Sequence, residues 1–407
     1  VSVYTFGDSG VTATIATATT ITSGTGADLI TLSGTLTGAR IDLGGGSDKV
    51  IFTGPGATST LTNVETIVAG TGVDAVTLGT QITSGSIDLA GGNDRLSLAT
   101  GGNTLTATNI ETVFGGSGAD VVTLGTAPSA GLVNLGSGAD SLTLQAGATL
   151  TLSNTETLAG GTGKDVVTLA TAYSGGSIDL GDGLDSLTLK AGATLTLSNT
   201  ETLTGGSGKD IVTLASQLTG ATLDLAGSTD SLTLADVAAN TLTVKNVETL
   251  TGGTGSDIVT LGSAITGATL DLKAGNDALT LAAGGTLTAT NVETVTGGTG
   301  TDVVTLGTAL TGATIDLKAG NDRLVLAAAG NTVTATNTET VSAGTGADVV
   351  TLATAVSGGS IDLAGGADSL TLQAGATLTL SNTETLAGGT GKDVVTLATA
   401  YSGGSID

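Results

Sequence analysis

The feature that most constrains this chain is a repeat of 45 to 47 residues that runs almost from end to end. Self-similarity at a fixed period points to stacked supersecondary units, not to one enclosed core. A glycine-rich turn of the form GTGxD or GSGxD closes on Asp28, Asp74, Asp120, Asp165, Asp210, Asp257, Asp302, Asp348 and Asp393. A second turn, typified by GGGSD (44–48), closes on Asp48, Asp94, Asp140, Asp185, Asp230, Asp277, Asp322 and Asp368, each 20 residues after the preceding first-turn aspartate. An IDL or LDL segment adds Asp42, Asp88, Asp179, Asp224, Asp271, Asp316, Asp362 and Asp407, with Asn134 as the exception. An N-x-E-T segment adds Glu65, Glu111, Glu156, Glu201, Glu248, Glu293, Glu339 and Glu384. These classes hold 33 of the 36 acids, so the charge belongs to the repeat itself.

Composition narrows the fold further. The 407 residues include no Cys, Met, Trp or His, three Phe, three Tyr and 67 Gly, with 39% apolar residues. Such a chain buries a core, but a narrow one. Strings such as VVTL, SLTL and TLTL alternate apolar with Thr or Ser, the period of a strand with one buried face. Two and four residues after each turn aspartate stand apolar pairs, among them Ile30 and Leu32, Val50 and Phe52, Val122 and Leu124. The fold class is therefore all-β, a parallel β-solenoid. The spacing predicts two coils per repeat, with residues 28–407 forming about eight repeats and residues 1–27 a degenerate or partial first coil. Seventeen turn aspartates give about seventeen coils, stacked at ~4.8 Å into a rod of roughly 80 Å. Between the apolar columns, Thr31, Thr77, Thr123 and Thr143 are expected to form an outward ladder.

On that reading the seventeen carboxylates share one edge, about 5 Å apart, and the opposite edge carries none. Neighbouring charges at that distance repel by about 1 kcal/mol in water and more at lower dielectric, which calls for a counter-ion. The glycines four and two residues before each aspartate are expected to take positive φ and turn carbonyls toward the ion. All-oxygen ligands suit Ca2+, and the absence of His and Cys disfavours zinc. Gly-Asp as plain turn chemistry is the alternative.

The turns GGSGAD (115–120), GGTGKD (160–165) and GGTGSD (252–257), followed by VV or IV, resemble the GGxGxD core of RTX (haemolysin-type) calcium-binding repeats. The resemblance implies a β-roll that folds on calcium outside the cell, with the Asp carboxylates and turn carbonyls of adjacent coils sharing each ion. It implies all seventeen turn aspartates as the metal residues. The family's repeats run every nine residues with calcium turns on both edges, whereas these turns recur at 20 and 26. The second turn also departs from the pattern, with Lys273 and Lys318 in place of its earlier Gly and Ser228 in place of the later one.

The other recurrent polar residues have simpler expected roles. The N-x-E-T Asn shapes a corner through side-chain-to-backbone bonds and its Glu is solvated, a second ion site being the alternative. The IDL aspartates lie outward on a strand as a solvated face, with catalytic carboxylates as the sharper alternative. Gly138–Asp179 and Gly366–Asp407 are identical over 42 residues, so no acid constellation occurs only once and an enzyme is not expected. A net charge of −25 argues against nucleic acid and anionic lipid as partners, and no apolar run reaches a membrane-spanning length. With no Met, and a stop within a motif, the sequence reads as a window from a longer polypeptide. The expected function is a calcium-stabilised structural rod in an extracellular bacterial surface protein such as an adhesin stalk, S-layer subunit or fibre. The alternative is a metal-independent, self-associating filament; a glycan- or ice-binding solenoid is a lesser one.

Overall fold

The computed structural model describes residues 2–236, 239–401 and 404–407. It is all-β, with no helix among the described residues and hence none long and apolar enough to cross a membrane. The chain divides into two compact units, Val1–Gly208 and Lys209–Asp407. Each is a parallel β-solenoid built on two sheets, and successive strands along the chain fall on alternate sheets. In the first unit, Leu29–Leu32 pairs with Lys49–Phe52, then Thr66–Val68 and Gly85–Asp88 on one sheet. On the other, Leu36–Asp42 pairs with Ala57–Thr62, then Ala75–Leu78 and Arg95–Ser97. The second unit repeats the scheme, as in Ile258–Leu261 paired with Ala278–Leu281 and then Thr294–Thr296.

The core is a thin layer between the sheets. Ile30, Leu32, Val50, Leu96, Val122 and Leu142 are fully buried, and Phe52, Leu78 and Leu124 nearly so. Parallel in-register stacking sets each apolar residue above its like, so Val122 faces Leu142 and Leu124 faces Leu144 across one ladder step. Small β-branched and leucyl side chains fill such a space without voids, which is why the chain needs almost no aromatics.

The expectation of two coils per repeat is corrected here. One repeat holds five strands, for example Leu29–Leu32, Leu36–Asp42, Lys49–Phe52, Ala57–Thr62 and Thr66–Val68. Two strands make a coil, so a repeat is two and a half coils. The N-x-E-T corner is a turn in its own right, and its Asn takes a left-handed φ between 50° and 54° in every repeat. Among the described residues the first unit carries 23 strands and the second 22, about eleven coils each, so the expected seventeen coils is also too few. Residues before 28 supply three strands, Val3–Thr5, Thr12–Ile15 and Thr20–Thr22, that join the stack.

An odd number of strands per repeat has a topological consequence. Equivalent residues in consecutive repeats fall on opposite sheets and opposite edges, and the true period is two repeats, or five coils. The expected single Thr ladder is thereby split. Thr123 sits between Thr106 and Thr143 on one sheet, and Thr77 pairs with Ser97 on the other.

Candidate functional site

Each turn aspartate stands just before a strand, where the backbone leaves one sheet for the other. At such a corner the amide of one coil finds no carbonyl on the next, and a buried amide without an acceptor is costly. The acids supply that acceptor. Val11 N–H donates to Asp28 Oδ1 at 2.7 Å, Asp28 N–H to Asp48 Oδ1 at 2.8 Å and Asp48 N–H to Glu65 Oε2 at 2.8 Å. On the opposite edge, Ala57 N–H donates to Asp74 Oδ1, Asp74 N–H to Asp94 Oδ1 and Asp94 N–H to Glu111 Oε2, at 2.6, 2.8 and 2.9 Å. The same series returns at Asp120, Asp140 and Glu156, and at Asp165, Asp185 and Glu201. In the second unit it returns at Asp230 and Glu248, at Asp257, Asp277 and Glu293, at Asp302, Asp322 and Glu339, and at Asp348, Asp368 and Glu384. Asp393, whose Oδ1 accepts Ala376 N–H, is the one turn aspartate left half-buried. The other sixteen are at most 2% exposed.

The structure therefore revises the single-edge column. Acids line both edges, in runs of three coils (Asp, Asp, Glu) that alternate between edges from repeat to repeat. The N-x-E-T glutamates, expected from the sequence to be solvated, are instead half-buried members of each run. The Asn side chain bonds to the IDL-position side chain of the coil before it: Asn63 Nδ2 donates to Asp42 Oδ1 and Asn109 Nδ2 to Asp88 Oδ1, both at 2.8 Å, and Asn154 Nδ2 to the Asn134 amide oxygen. The IDL aspartates do lie outward, but with a structural task. Their Oδ1 also accepts the amide two residues on, as from Ala90 N–H to Asp88 at 2.9 Å, which pins that donor residue at positive φ. Lys273 and Lys318 occupy that position at φ of 64° and 66°, and Lys318 Nζ meets Asp316 at 2.7 Å. Hydrogen bonds and the Lys318 charge outweigh desolvation and hold the Asp316 carboxyl below its usual range.

The glycine expectation holds in the second turn at every earlier glycine and at only some later ones, Gly92, Gly183 and Gly320 being exceptions, and it fails for most copies of the first turn. Gly46, two residues before Asp48, takes φ of 149°. Gly118, two before Asp120, does not take positive φ; a Cβ there would lie 2.1 Å from Gly102 N on the coil below. First-turn glycine is needed there for close approach between coils.

Sequence reasoning missed three ladder members. Asn103, Asn240 and Asn331 are buried, and their Oδ1 accepts the amides of Ile82, Leu218 and Leu310 at 3.2 Å, adding a fourth rung. Each lies 17 residues before a first-turn aspartate, a fixed offset inside the stretch that otherwise varies in length.

Burial leaves an electrostatic residue. The second carboxylate oxygen of many turn aspartates is buried with no hydrogen-bond partner, among them Asp48, Asp94, Asp140 and Asp185. Desolvation first, and then the stacked acids on either side, push Asp94, Asp140, Asp185 and Asp277 up to about 6. Asp48, Asp74, Asp165, Asp230, Asp302, Asp322 and Asp368 are also raised, again chiefly by burial. In chemistry the donor set fits a hard cation: carboxylate oxygens without partners, amid turn carbonyls, and no nitrogen or sulfur ligands. Among the described residues no three acids gather around one point as a metal cage. An ion would draw on one or two carboxylates and on turn backbone. No family model matches the chain, and no match was found among curated proteins.

Proposed function

We propose that this chain is a structural spacer of an extracellular bacterial surface protein, and that calcium stabilises it by neutralising the buried acids of its turns. The supporting observation is the set of carboxylate oxygens that folding removes from water without giving them a partner. A charge so buried is tolerated when it is protonated or paired. Calcium, where bound, supplies positive charge at these oxygens. The residues do the rest: the Asp Oδ1 atoms cap amides of neighbouring coils, the core columns stack, and the turn aspartates would hold the ion. Repetition supports a structural role over catalysis, since a 42-residue segment recurs unchanged. Low calcium inside a cell would leave the coils loosely folded for export, and higher calcium outside would close them.

The test is far-UV circular dichroism during a Ca2+ titration, followed by chelator, with Mg2+ as control. A cooperative gain of β signal that chelator reverses is the expected result. Full β signal in chelator, unmoved by Ca2+, overturns the calcium reading and favours a metal-independent filament built on the same fold.

A further inference from the structure

The two kinds of turn differ in a way that their sequence similarity hides. In the first turn the amide four residues before the aspartate is available to it. Gly116 N–H donates to Asp120 Oδ2 at 3.2 Å, Gly253 N–H to Asp257 Oδ2 at 3.4 Å and Gly298 N–H to Asp302 Oδ2 at 3.2 Å. In the second turn the equivalent amide is diverted. Gly44 N–H goes to Asp42, Ala90 N–H to Asp88 and Gly136 N–H to Asn134, and the five later repeats do the same. The IDL residue thus takes the donor that would satisfy the second-turn carboxylate. As a result all eight second-turn aspartates, each 1% exposed, keep a buried Oδ2 without a partner. Asp28, Asp74, Asp165 and Asp348 share that state among the first-turn set, but no side chain takes the amide four residues before them.

Position adds to the difference. Each second-turn aspartate is the middle acid of its run, with a first-turn Asp on one side and a Glu on the other. We propose that the second-turn aspartates, and not those of the GGxGxD-like first turn, are where the solenoid takes up a hard divalent cation, one per repeat and eight in the chain. The inference rests on the calcium reading above and reverses the order that motif similarity suggests. The four carboxyls pushed up to about 6 are all of this class.

The experiment is equilibrium dialysis of the full chain with Ca2+, comparing the unaltered protein with Asp94→Asn, Asp140→Asn, Asp74→Asn and Asp120→Asn. Asn keeps the Oδ1 acceptor of the ladder, and circular dichroism checks each variant. About eight ions per chain are expected, with one lost in D94N or D140N and none in D74N or D120N. About seventeen ions, or equal losses in both classes, overturns this assignment while leaving the calcium reading intact. No bound calcium overturns both. Should a variant fail to fold, the count for the unaltered chain still separates eight from seventeen.

Discussion

At the scale of single residues, this fold is limited by room and by handedness. Gly118 sits where a methyl group would strike backbone on the coil below, and backbone yields less readily than a flexible side chain. Gly118→Ala is expected to lower stability by about 1–3 kcal/mol, read as a shift of the urea midpoint. Asn109 holds a left-handed φ of 53° and bonds across to Asp88. Replacing it with Ala loses the bond and leaves the strain, at about 1–2 kcal/mol. Asn109→Gly relieves the strain and is expected to cost less. If both variants lost stability equally, the conformational half of that account would fail.

At the scale of the turn, three stacked acids act together. Glu111 Oε2 accepts the Asp94 amide and its charge helps push up the Asp94 carboxyl. Glu111→Gln keeps an oxygen acceptor and removes a charge, so in calcium-free buffer at neutral pH it is expected to stabilise. Glu111→Ala strands the amide and is expected to destabilise by about 1–3 kcal/mol. Thermal melts of the two variants, moving in opposite directions, are the check. The pH dependence has a definite sign. Asp94, Asp140, Asp185 and Asp277 are pushed up to about 6 when folded, above the ordinary carboxylate value near 3.8. Protonation therefore favours the folded state. The stability it contributes is complete below about pH 4 and is lost as pH rises through about 6. Calcium-free melts are expected to show Tm falling from pH 4 to pH 7. A rise over that range would mean that these carboxyls are already satisfied as anions.

At the scale of the whole molecule, stability is a sum of coil and neighbour terms. Deleting residues 120–164, one repeat of two and a half coils, joins equivalent positions and keeps every later strand in phase. The expected outcome is a folded protein with nearly unchanged Tm and a smaller denaturant m-value, since less surface is exposed on unfolding. Alternating edges also spread the charge. A run of three laddered acids on one edge is followed there by two coils without a ladder acid, while the opposite edge carries the next run. Repulsion is thus confined to short runs, where a continuous column would accumulate it.

Much of this was legible in the sequence. Period-two alternation named the buried columns, and Ile30, Val50 and Leu96 are fully buried as the pattern requires. The repeat and its fixed offsets gave the solenoid, the turn aspartates and the density of acid. Those signals are local, since an apolar residue two after an aspartate reports which face of its own strand is buried. The number of coils per repeat is not local. It depends on which residues 16 to 23 apart exchange hydrogen bonds, and the N-x-E-T corner turns the chain on the same edge as the two Gly-Asp turns without their signature. That third corner makes the strand count odd, sends consecutive repeats to opposite edges and draws Glu65 and its equivalents into the acid runs. Which carboxylate oxygen is left without a partner was equally beyond the sequence. It turns on where a single amide points, toward Asp120 in the first turn and toward Asp42 or Asp88 in the second, and only the assembled turn fixes that direction.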